Sequence, residues 1–540
     1  MSSRSRFALP SILSVVAISA LAVLAGCGGG SGTATGVAPP SGGFSASNLN
    51  GTYVFSVSGS DVNGDPYAIV GTITANGSGG ITGGAMDIND AGFASLTPAV
   101  APTADSTIAA GSYTVGQDGR GQAKFGTSTP FTTVVLDFVL QDNSHGLVTE
   151  FDSNASGSGT LDLQASNTTP SGTYAFSFAG SYGTSSMATV GNFTAGTAVS
   201  GLEDFNASGA VYNSSGAGDT VSGKVVAGPS STPASELVTT NFSIVYDVYP
   251  IDATHLKFIE MDANGTLSGD AYSQSSTAMP ASSTLAFTLM GGTSSSVLAA
   301  GGFMVTDGSG NLTNSSSEDV NNDGSASPEP ITFSAQTTAG GTGRYTLSLS
   351  GFTGGTEYVA YPSSGGLLLL EIDGTGALMS GAAYTQSANA TFGVPQGYAL
   401  NLVGTNISAQ VPEVDDIAEF ASASSGTTVT GVLDENYAPS GVPNYGLALS
   451  GTYTAPSSGR GAVVANVGST SNGSINGGFG LTFYTVDGTT FPFIETDSGQ
   501  VASGVFVLQN SGSSSSAKSH LFVVHPLVRP HGAFKKRQRS

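Results

Sequence analysis

Four pairs of carboxylates are the residues of this chain whose types and spacing could do chemistry. Each pair reads Glu-x-Asp and is followed by Ser-Gly and then by Gln. The four copies are Glu150, Asp152 and Gln164; Glu260, Asp262 and Gln274; Glu371, Asp373 and Gln386; and Glu495, Asp497 and Gln509. Two carboxylates on one strand face would lie near the ~5–5.5 Å separation used by retaining glycosidases. A glycosidase also needs a dedicated cleft with acids on opposite sides of a bond, so we expect no catalytic residues and keep an extracellular hydrolase as the weaker alternative.

Metal binding is the second chemistry that the residue types allow. Asp319, Asn321 and Asp323, followed by Gly324, match the first half of an EF-hand loop. The twelfth position of that loop is Pro330 rather than Glu, which excludes an EF-hand. A looser calcium site of oxygen ligands stays open beside an ordinary Asx turn, so we expect no cofactor and keep calcium as the alternative.

Nucleophilic catalysis lacks its usual residues. His145 and His255 occupy equivalent positions, five residues before the Glu of their copies, where the other two copies have Gly366 and Thr490. A catalytic base should not vary in this way among copies, so we interpret both histidines as turn residues. The single cysteine of the chain leaves no zinc-binding spacing.

The charge of the chain restricts its partners. Residues 28–517 contain six basic residues against all 37 acidic residues, a difference of −31. Phosphate backbones would repel such a body, so we expect no nucleic-acid partner. Hydrophobic residues make up 39% of the chain, and Phe and Tyr recur in alternating runs, which predicts folded domains rather than disorder.

The carboxylate phrase closes a longer repeat. Each copy opens with an alternating strand such as Tyr53-x-Phe55-x-Val57 and carries an Asp-x-Asn turn, which begins at Asp87, Asp204, Asp319 or Asp434. Apolar residues at every second position indicate strands that place one face in a core. The Glu-to-Glu separations of 110, 111 and 124 residues exceed the ~20–50 residues of solenoid repeats. The sequence therefore predicts an all-β fold of four tandem antiparallel β-domains.

Two closures of each domain compete. An up-and-down barrel would pair the first strand with the last and remove both sheet edges, and we favour it over a two-sheet sandwich. A barrel interior could hold a small apolar ligand, so a carrier is an alternative function. Short linkers predict that the four domains form a semi-rigid rod.

The beginning of the chain has the pattern of a targeting segment. Arg4 and Arg6 precede a mostly apolar stretch and then Leu24-Ala25-Gly26-Cys27, which resembles the lipobox of bacterial lipoprotein signal peptides. The resemblance implies that the Cys27 thiol takes a diacylglycerol. Because Cys27 is the only cysteine, we expect no intrachain disulfide. No other apolar run approaches the ~20 residues that span a bilayer.

These patterns divide the chain into seven segments. They are a signal peptide (1–26), the lipidated Cys27 with a Gly/Ser/Pro tether (27–48), domain 1 (49–165), domain 2 (170–275), domain 3 (283–387), domain 4 (395–510) and a polar and basic segment (511–540). We expect the tether to be disordered because its composition cannot bury enough apolar surface. We expect the last segment to be a disordered tail because short charge runs at termini are usually solvated, with a cationic contact to an anionic envelope polymer or to the acidic body as the alternative.

Over residues 24–510 the chain resembles repeat-bearing surface lipoproteins of environmental bacteria, especially acidobacterial ones. The resemblance implies a lipid-anchored location in the cell envelope, at the outer membrane or cell surface, with a periplasm-facing position as the alternative, and it implies no activity. The expected function is a non-enzymatic adhesion, structural or extracellular binding role. The expected partners are the membrane, through the lipid on Cys27, and an extracellular glycan or envelope polymer; the oligomeric state stays open.

Overall fold

Antiparallel β-strands build the fold of this protein. The computed structural model describes residues 36, 38–39, 41–92, 102–127, 133–183, 185–212, 217–227, 235–238, 244–293, 295–327, 329–388, 390–407, 413–437, 443–468 and 478–512. Cys27, the signal segment 1–26 and residues 513–540 lie outside these described residues. They include a short 3₁₀ helix, Ala46–Asn48, and none of their helices has the length and hydropathy needed to cross a membrane.

The strands follow the four predicted repeats. Domain 1 contains β1 (Asn50–Asp61), β2 (Pro66–Asn76), β3 (Gly80–Asp90), β4 (Thr103–Ile108), β5 (Gly111–Val115), β6 (Arg120–Phe125), β7 (Val134–Leu140), β8 (His145–Glu150) and β9 (Ala155–Leu163). Domain 2 contains β10 (Gly172–Tyr182), β11 (Ser185–Ala195), β12 (Val199–Ala207), β13 (Ala210–Tyr212), β14 (Asp219–Gly223), β15 (Val225–Ala227), β16 (Ser235–Val238), β17 (Val245–Pro250), β18 (His255–Glu260) and β19 (Ser268–Ser273).

Domains 3 and 4 repeat this order of strands. Domain 3 contains β20 (Thr284–Gly292), β21 (Val297–Val305), β22 (Ser316–Asn322), β23 (Ser325–Ala326), β24 (Ile331–Ala339), β25 (Tyr345–Ser350), β26 (Glu357–Ser363), β27 (Gly366–Glu371) and β28 (Leu378–Thr385). Domain 4 contains β29 (Gly397–Asn406), β30 (Glu413–Ser422), β31 (Thr428–Tyr437), β32 (Asn444–Ser457), β33 (Arg460–Val467), β34 (Phe479–Tyr484), β35 (Thr490–Glu495) and β36 (Gln500–Leu508).

Each domain is an antiparallel meander whose sheet closes on itself. The first strand pairs with the last in every domain, as β1 with β9, β10 with β19, β20 with β28 and β29 with β36. In domain 2, β14 pairs with β12 and β15 pairs with β16, and only Lys224 separates β14 from β15, so the two segments act as one strand of the barrel. The prediction of tandem all-β domains with barrel closure is confirmed.

Side chains fill the barrel interiors. In domain 4, Phe392 from the preceding linker enters the barrel, with ring centroids 4.9 Å from Tyr398, 5.7 Å from Phe491 and 6.1 Å from Phe506. The other three domains have corresponding cores of buried aromatic and aliphatic side chains. A carrier needs an interior cavity, and this packing gives that alternative no support.

Acidic side chains are nonetheless buried inside the barrels. In domain 3, Glu318 lies on β22 in line with the core residue Val320, and its Oε1 accepts hydrogen bonds from the backbone N–H and the hydroxyl of Thr353 at 2.7 and 2.8 Å. Its Oε2 is buried and has no hydrogen-bond partner. Burial therefore raises the pKa of the Glu318 carboxyl to about 7.

This burial predicts a stability that falls as the pH rises. The folded state keeps the Glu318 proton up to a pKa of about 7, whereas the unfolded state releases it near the ordinary value of 4.5. The stability that this pKa difference contributes is present below pH 4.5 and is lost as the pH rises through 7. The unfolding free energy falls by about 3 kcal/mol if no other group compensates. We expect Glu318→Gln, which cannot ionise, to lessen the fall in unfolding free energy between about pH 5 and about pH 8 in urea denaturation.

Glu329→Gln is the matched control, because Glu329 is an exposed acid of the same domain. The control should show the pH dependence of the unchanged protein. Equal pH dependence of all three proteins would contradict the prediction.

Candidate functional site

The repeated polar residues lie at the contacts between neighbouring domains. We call these contacts junctions 1–2, 2–3, 3–4 and 4–1 after the domains that they join. Each junction brings the Asp-x-Asn segment of one domain against the Glu-x-Asp phrase of the next. This segment lies on a strand (β3, β12, β22 or β31), so the prediction that it forms a turn is wrong; the next domain, rather than the local backbone, supplies partners for its Asp and its amide group. The segment of domain 4 meets the phrase of domain 1, so the four domains form a closed ring.

The Asn of each Asp-x-Asn segment donates to two or more backbone carbonyls of the following domain. Asn89 donates to the carbonyls of Glu260 and Gly265 at 2.6 and 2.7 Å. The equivalent donors are Asn206 to Glu371 and Ala377, Asn321 to Glu495, Asp497 and Gln500, and Asn436 to Glu150 and Ala155, at 2.5 to 3.1 Å. A buried carbonyl needs a donor, and here the neighbouring domain supplies it.

The Asp of each Asp-x-Asn segment accepts hydrogen bonds from a tyrosine, an arginine or both. Asp204 accepts two bonds from Arg344, at 2.8 and 2.7 Å, and one from the Tyr361 hydroxyl at 2.7 Å. Equivalent partners are Arg460 and Tyr484 for Asp319, Arg120 for Asp434 and Tyr249 for Asp87. Paired guanidinium bonds fix direction as well as charge, so they set the angle between two barrels.

The final Gln of each repeat makes the third junction contact. Gln164, Gln274 and Gln386 each donate to a backbone carbonyl of the next domain, those of Pro250, Pro362 and Thr485, at 2.7 Å. Gln509 donates to the carbonyls of Asp118 and Leu140 in domain 1 at 2.8 and 3.0 Å.

The expectation of a rod is therefore wrong. Each junction is heterologous, because it joins one side of a barrel to a different side of the next. Heterologous contacts generate a closed ring when their rotation closes, and four equivalent steps close here. Short linkers limit the distance between domains but do not set the direction of each step. The sequence did contain a signal for a ring. Domains 1 and 4 both retain the whole repeat, although in a rod the two end domains would leave part of it without a partner.

Apolar contacts cover the junctions around these polar groups. At junction 1–2, Val54 and Val70 of domain 1 pack with Tyr249 and Ile259 of domain 2. These side chains lie outside their barrels, so the strands that bear them are buried on both faces. The run Gly-Leu-Leu-Leu-Leu-Glu of β27 has this pattern in the sequence, because a strand with one solvent face would alternate.

The Glu of the carboxylate phrase lies inside its barrel. Glu150, Glu260, Glu371 and Glu495 are each the last residue of a strand and are at most 1% exposed. Burial raises the pKa of the first, second and fourth well above the ordinary value and that of Glu371 to about 8. Glutamic acids that are neutral at pH 7 are acceptable in a barrel interior, where a carboxylate would be costly.

The Asp of the phrase lies beyond the end of the strand and fastens the backbone. In each copy it accepts from the N–H two residues further on and from an N–H 17 residues earlier; for Asp262 these are Asn264 at 2.9 Å and Val245 at 3.2 Å. The equivalent bonds join Asp152 to Asn154 and Val135, Asp373 to Thr375 and Thr356, and Asp497 to Gly499 and Gly480. Sequence reasoning expected Glu and Asp on one strand face; the structure separates them into an interior acid and a backbone clasp.

The three calcium candidates, Asp319, Asn321 and Asp323, each bind different groups of the protein. Asp319 binds Arg460 and Tyr484, Asn321 binds backbone carbonyls of domain 4, and Asp323 Oδ1 accepts from the Val297 N–H at 2.8 Å. Among the described residues, no group of three or more His, Cys, Asp or Glu side chains has an arrangement that could hold a metal. Calcium binding therefore stays a prediction, because these three side chains do not converge on one site.

Junction 1–2 has a charge network that sequence reasoning missed. The buried Lys257 ammonium lies 3.4 Å from an oxygen of Asp162 in domain 1 and 3.1 Å from one of Asp270 in its own domain. His145 and His255, interpreted above as turn residues, bind Asp162 at 3.0 Å and Asp270 at 2.7 Å. Although burial opposes it, the cations hold the pKa of Asp162 well below its ordinary range. At this junction Asp87 accepts from Tyr249, and a neighbouring carboxylate, Asp247, joins burial in raising its pKa.

No protein family model matches the chain, and no curated protein sequence matches it. Among solved structures, transferrin binding protein B from serogroup B Neisseria meningitidis is 11% identical, with 71% of this chain and 85% of that chain covered and a TM-score of 0.21. A mutant of transferrin binding protein B from Haemophilus parasuis is 9% identical, with 68% and 83% covered and a TM-score of 0.20. Kievitone hydratase from Nectria haematococca is 11% identical, with 65% and 93% covered and a TM-score of 0.18. Likenesses with TM-scores this low carry no argument about fold or function.

The Asn contact predicts the effect of replacing the side-chain amide with a carboxyl group. Asn321→Asp keeps the size of the side chain but replaces the donor to three carbonyls of domain 4 with an oxygen. We expect the unfolding free energy to fall by about 3 kcal/mol and the linker 387–396 to become more sensitive to proteolysis. Asn314→Asp is the control, since Asn314 is exposed in the same domain. If both variants have the unfolding free energy and the protease sensitivity of the unchanged protein, the Asn321 contact does not hold junction 3–4.

The arginine contact predicts a partial rescue. Arg344 and Asp204 are both 0% exposed, so Arg344→Met leaves a buried carboxylate without its cation and should cost about 3–5 kcal/mol in urea denaturation. Adding Asp204→Asn removes the uncompensated charge, so the double variant should be more stable than Arg344→Met alone. Additive losses in the double-mutant cycle would show that the pair is not coupled.

Proposed function

We propose that this protein is a non-enzymatic, lipid-anchored protein of the bacterial cell envelope whose four β-barrels act together as one binding or structural platform. The observation that supports this most directly is the use of the repeated polar residues. The Asp, Asn and Gln side chains, and the backbone of the Glu-x-Asp phrase, hold neighbouring barrels together. Residues used in this way explain the repetition without a repeated active site.

The faces left free by the junctions suit a platform. Strand β32 of domain 4 alternates between buried and exposed positions, and β24 of domain 3 is mostly exposed. Their exposed side chains are mainly Ser, Thr, Ala and Gln. Faces of this kind held in one ring favour a multivalent partner such as an envelope polymer or extracellular glycan, because avidity compensates for weak single contacts.

Lipid anchoring is tested with Cys27→Ser. In a bacterial host that processes lipoproteins, we expect the unchanged protein to incorporate labelled palmitate and to fractionate with membranes. The Cys27→Ser variant should incorporate no label and should appear in the soluble fraction. Mass spectrometry of the mature N-terminus should find an acylated cysteine; an unmodified thiol would remove the anchor from the proposal.

The binding role is tested with the soluble Cys27→Ser protein. We expect it to cosediment with isolated envelope polysaccharide or peptidoglycan and to show no turnover on panels of ester and glycoside substrates. The ring-weakened variant Asn321→Asp should bind less well than its control Asn314→Asp, because avidity requires a fixed spacing of sites. Turnover of any substrate would favour the hydrolase alternative instead, provided that the turnover disappears when the protein is unfolded.

A further inference from the structure

Junction 4–1 closes the ring without a covalent linker. Short linkers join the other neighbouring domains, whereas domain 4 meets domain 1 through non-covalent contacts such as the bonds of Asn436 and Gln509. The Ser41 hydroxyl also donates to the carbonyl of Gln509 at 3.0 Å. The three linkers keep the two domains in one chain even when they separate, so this junction can open and close again as an intramolecular equilibrium.

A buried carboxyl group lies inside this junction. Asp415, on the outer face of β30, is 0% exposed. Its two oxygens accept hydrogen bonds from the Ser156 and Ser158 hydroxyls of β9 in domain 1, at 2.5 and 2.7 Å. The Ser158 hydroxyl accepts in turn from the Asn401 amide at 3.0 Å. Within the described residues no cation forms an ion pair with Asp415, so neutral hydroxyls are its partners in the contact.

This carboxyl group is specific to junction 4–1. Asp415 pairs with Val403 of the first strand of its domain. The residues at the equivalent place in the other three domains are Ala68, Ala188 and Ala299, each at most 1% exposed. The serine that Asp415 meets is, in contrast, part of the repeat, because Ser158 is the Ser of the carboxylate phrase. An ionisable group thus occupies a place where the other junctions have a methyl group.

Acidic groups surround Asp415. Glu413, two residues earlier on the same face of β30, forms a hydrogen bond with the Ser60 hydroxyl of domain 1. The other titratable groups of the elements packed at this junction are Asp118, Arg120, Asp137, Glu150 and Asp152 of domain 1 and Asp416, Glu419, Asp434, Glu435, Tyr437 and Tyr445 of domain 4. The one cation in this set, Arg120, binds Asp118 and Asp434. Burial raises the pKa of the Asp415 carboxyl to about 7, although the two serine hydroxyls act to lower it.

We propose that junction 4–1 is a pH-dependent latch, in which protonated Asp415 lets domain 4 close on domain 1 and ionised Asp415 favours an open ring. Opening returns this carboxyl to water, where its pKa has the ordinary value of 3.8, whereas the closed junction keeps the proton up to about 7. Closing therefore takes up a proton between these values, and the stabilisation is present below 3.8 and lost as the pH rises through 7. Over this range the ratio of open to closed protein should rise about a thousandfold.

The latch would control the spacing of the free faces. An open ring loses the fixed arrangement of its barrels, so multivalent binding should weaken as the junction opens. This consequence rests on the proposed binding platform. The latch itself is a property of the ring, and it is measured without any partner.

The test measures opening with one buried cysteine in the full chain with Cys27→Ser, which otherwise has no thiol. Ala399 on β29 is 0% exposed and packs with Val139 and Leu147 of domain 1, so Ala399→Cys reports on junction 4–1. Ala175, the equivalent residue of domain 2, is 0% exposed at the linked junction 2–3, so Ala175→Cys is the matched control. Both thiols react with a dipyridyl disulfide only when they are uncovered. Dividing the two rates removes the pH dependence of the thiol itself.

We expect the ratio of the two labelling rates, Ala399→Cys over Ala175→Cys, to rise at least about tenfold per pH unit between about pH 5 and about pH 6.5. Asp415→Asn cannot ionise, and Asp415→Ala restores the residue type of the other junctions. Each should make the rise about tenfold per pH unit shallower. Any remaining slope belongs to acids such as Asp137 and Asp434, whose pKa burial also raises. The control Glu329→Gln, at an exposed acid of domain 3, should keep the slope of the unchanged protein.

Three results would overturn the latch. They are a ratio that does not change with pH, a slope that both Asp415 variants leave intact, and an equal rise in labelling at both cysteines, which would show that the junctions open together. Circular dichroism at each pH checks that the barrels stay folded. Failure of the protein to cosediment with envelope polymers would count against the proposed platform and would leave the labelling result unaffected.

Discussion

A buried amide that bridges two barrels is the contact on which the arrangement of this protein depends. Where the penultimate strand of each barrel ends, the Glu carbonyl accepts from an Asn of the preceding domain. In domains 2 and 3 the Asn is also held by the turn that follows its strand, because Asn206 Oδ1 and Asn321 Oδ1 accept from the N–H groups of Gly209 and Gly324. Those glycines have φ of +85° and +79°, which other residues rarely adopt. Each domain thus both gives and receives this contact, and only a closed ring leaves no domain without a partner.

Charge distinguishes the junctions from one another. Junctions 2–3, 3–4 and 4–1 each have a guanidinium against the Asp of the Asp-x-Asn segment, with Arg344, Arg460 and Arg120 in that role. At junction 1–2 the corresponding Asp87 binds Tyr249, and the cation of the junction is Lys257, placed between Asp162 and Asp270. A body with a large excess of carboxylates has few cations to distribute, and these four contribute to junctions rather than to the surface. The same excess explains why several carboxyls are buried as neutral acids.

Much of the fold was predictable because it depends on local periodicity. Alternating runs such as Tyr53-x-Phe55-x-Val57 predicted the strands, and the regularity of the first and last strands predicted that they pair. The role of the repeated residues was harder to predict, because Asn89 and Glu260 are 171 residues apart and belong to different repeats. A pattern within one repeat cannot show that half of a motif contacts the other half in the next copy. The charge network of Lys257 was missed for the same reason, since its partner Asp162 lies in another domain.

Ring closure also determines how the two ends of the four-domain array are held. A rod would leave the first and last domains at opposite ends, with the distance between them growing with each domain. In the ring, Ser41 and Gln509 are in direct contact, so the described residues that precede domain 1 lie against the end of domain 4. Junction 4–1 is the one junction of the ring without a covalent linker, so non-covalent contacts such as the bonds of Asn436, Arg120 and Gln509 must hold the ring closed there. Their loss would separate domains 4 and 1, whereas at the other three junctions the linker would still keep the neighbouring barrels close together.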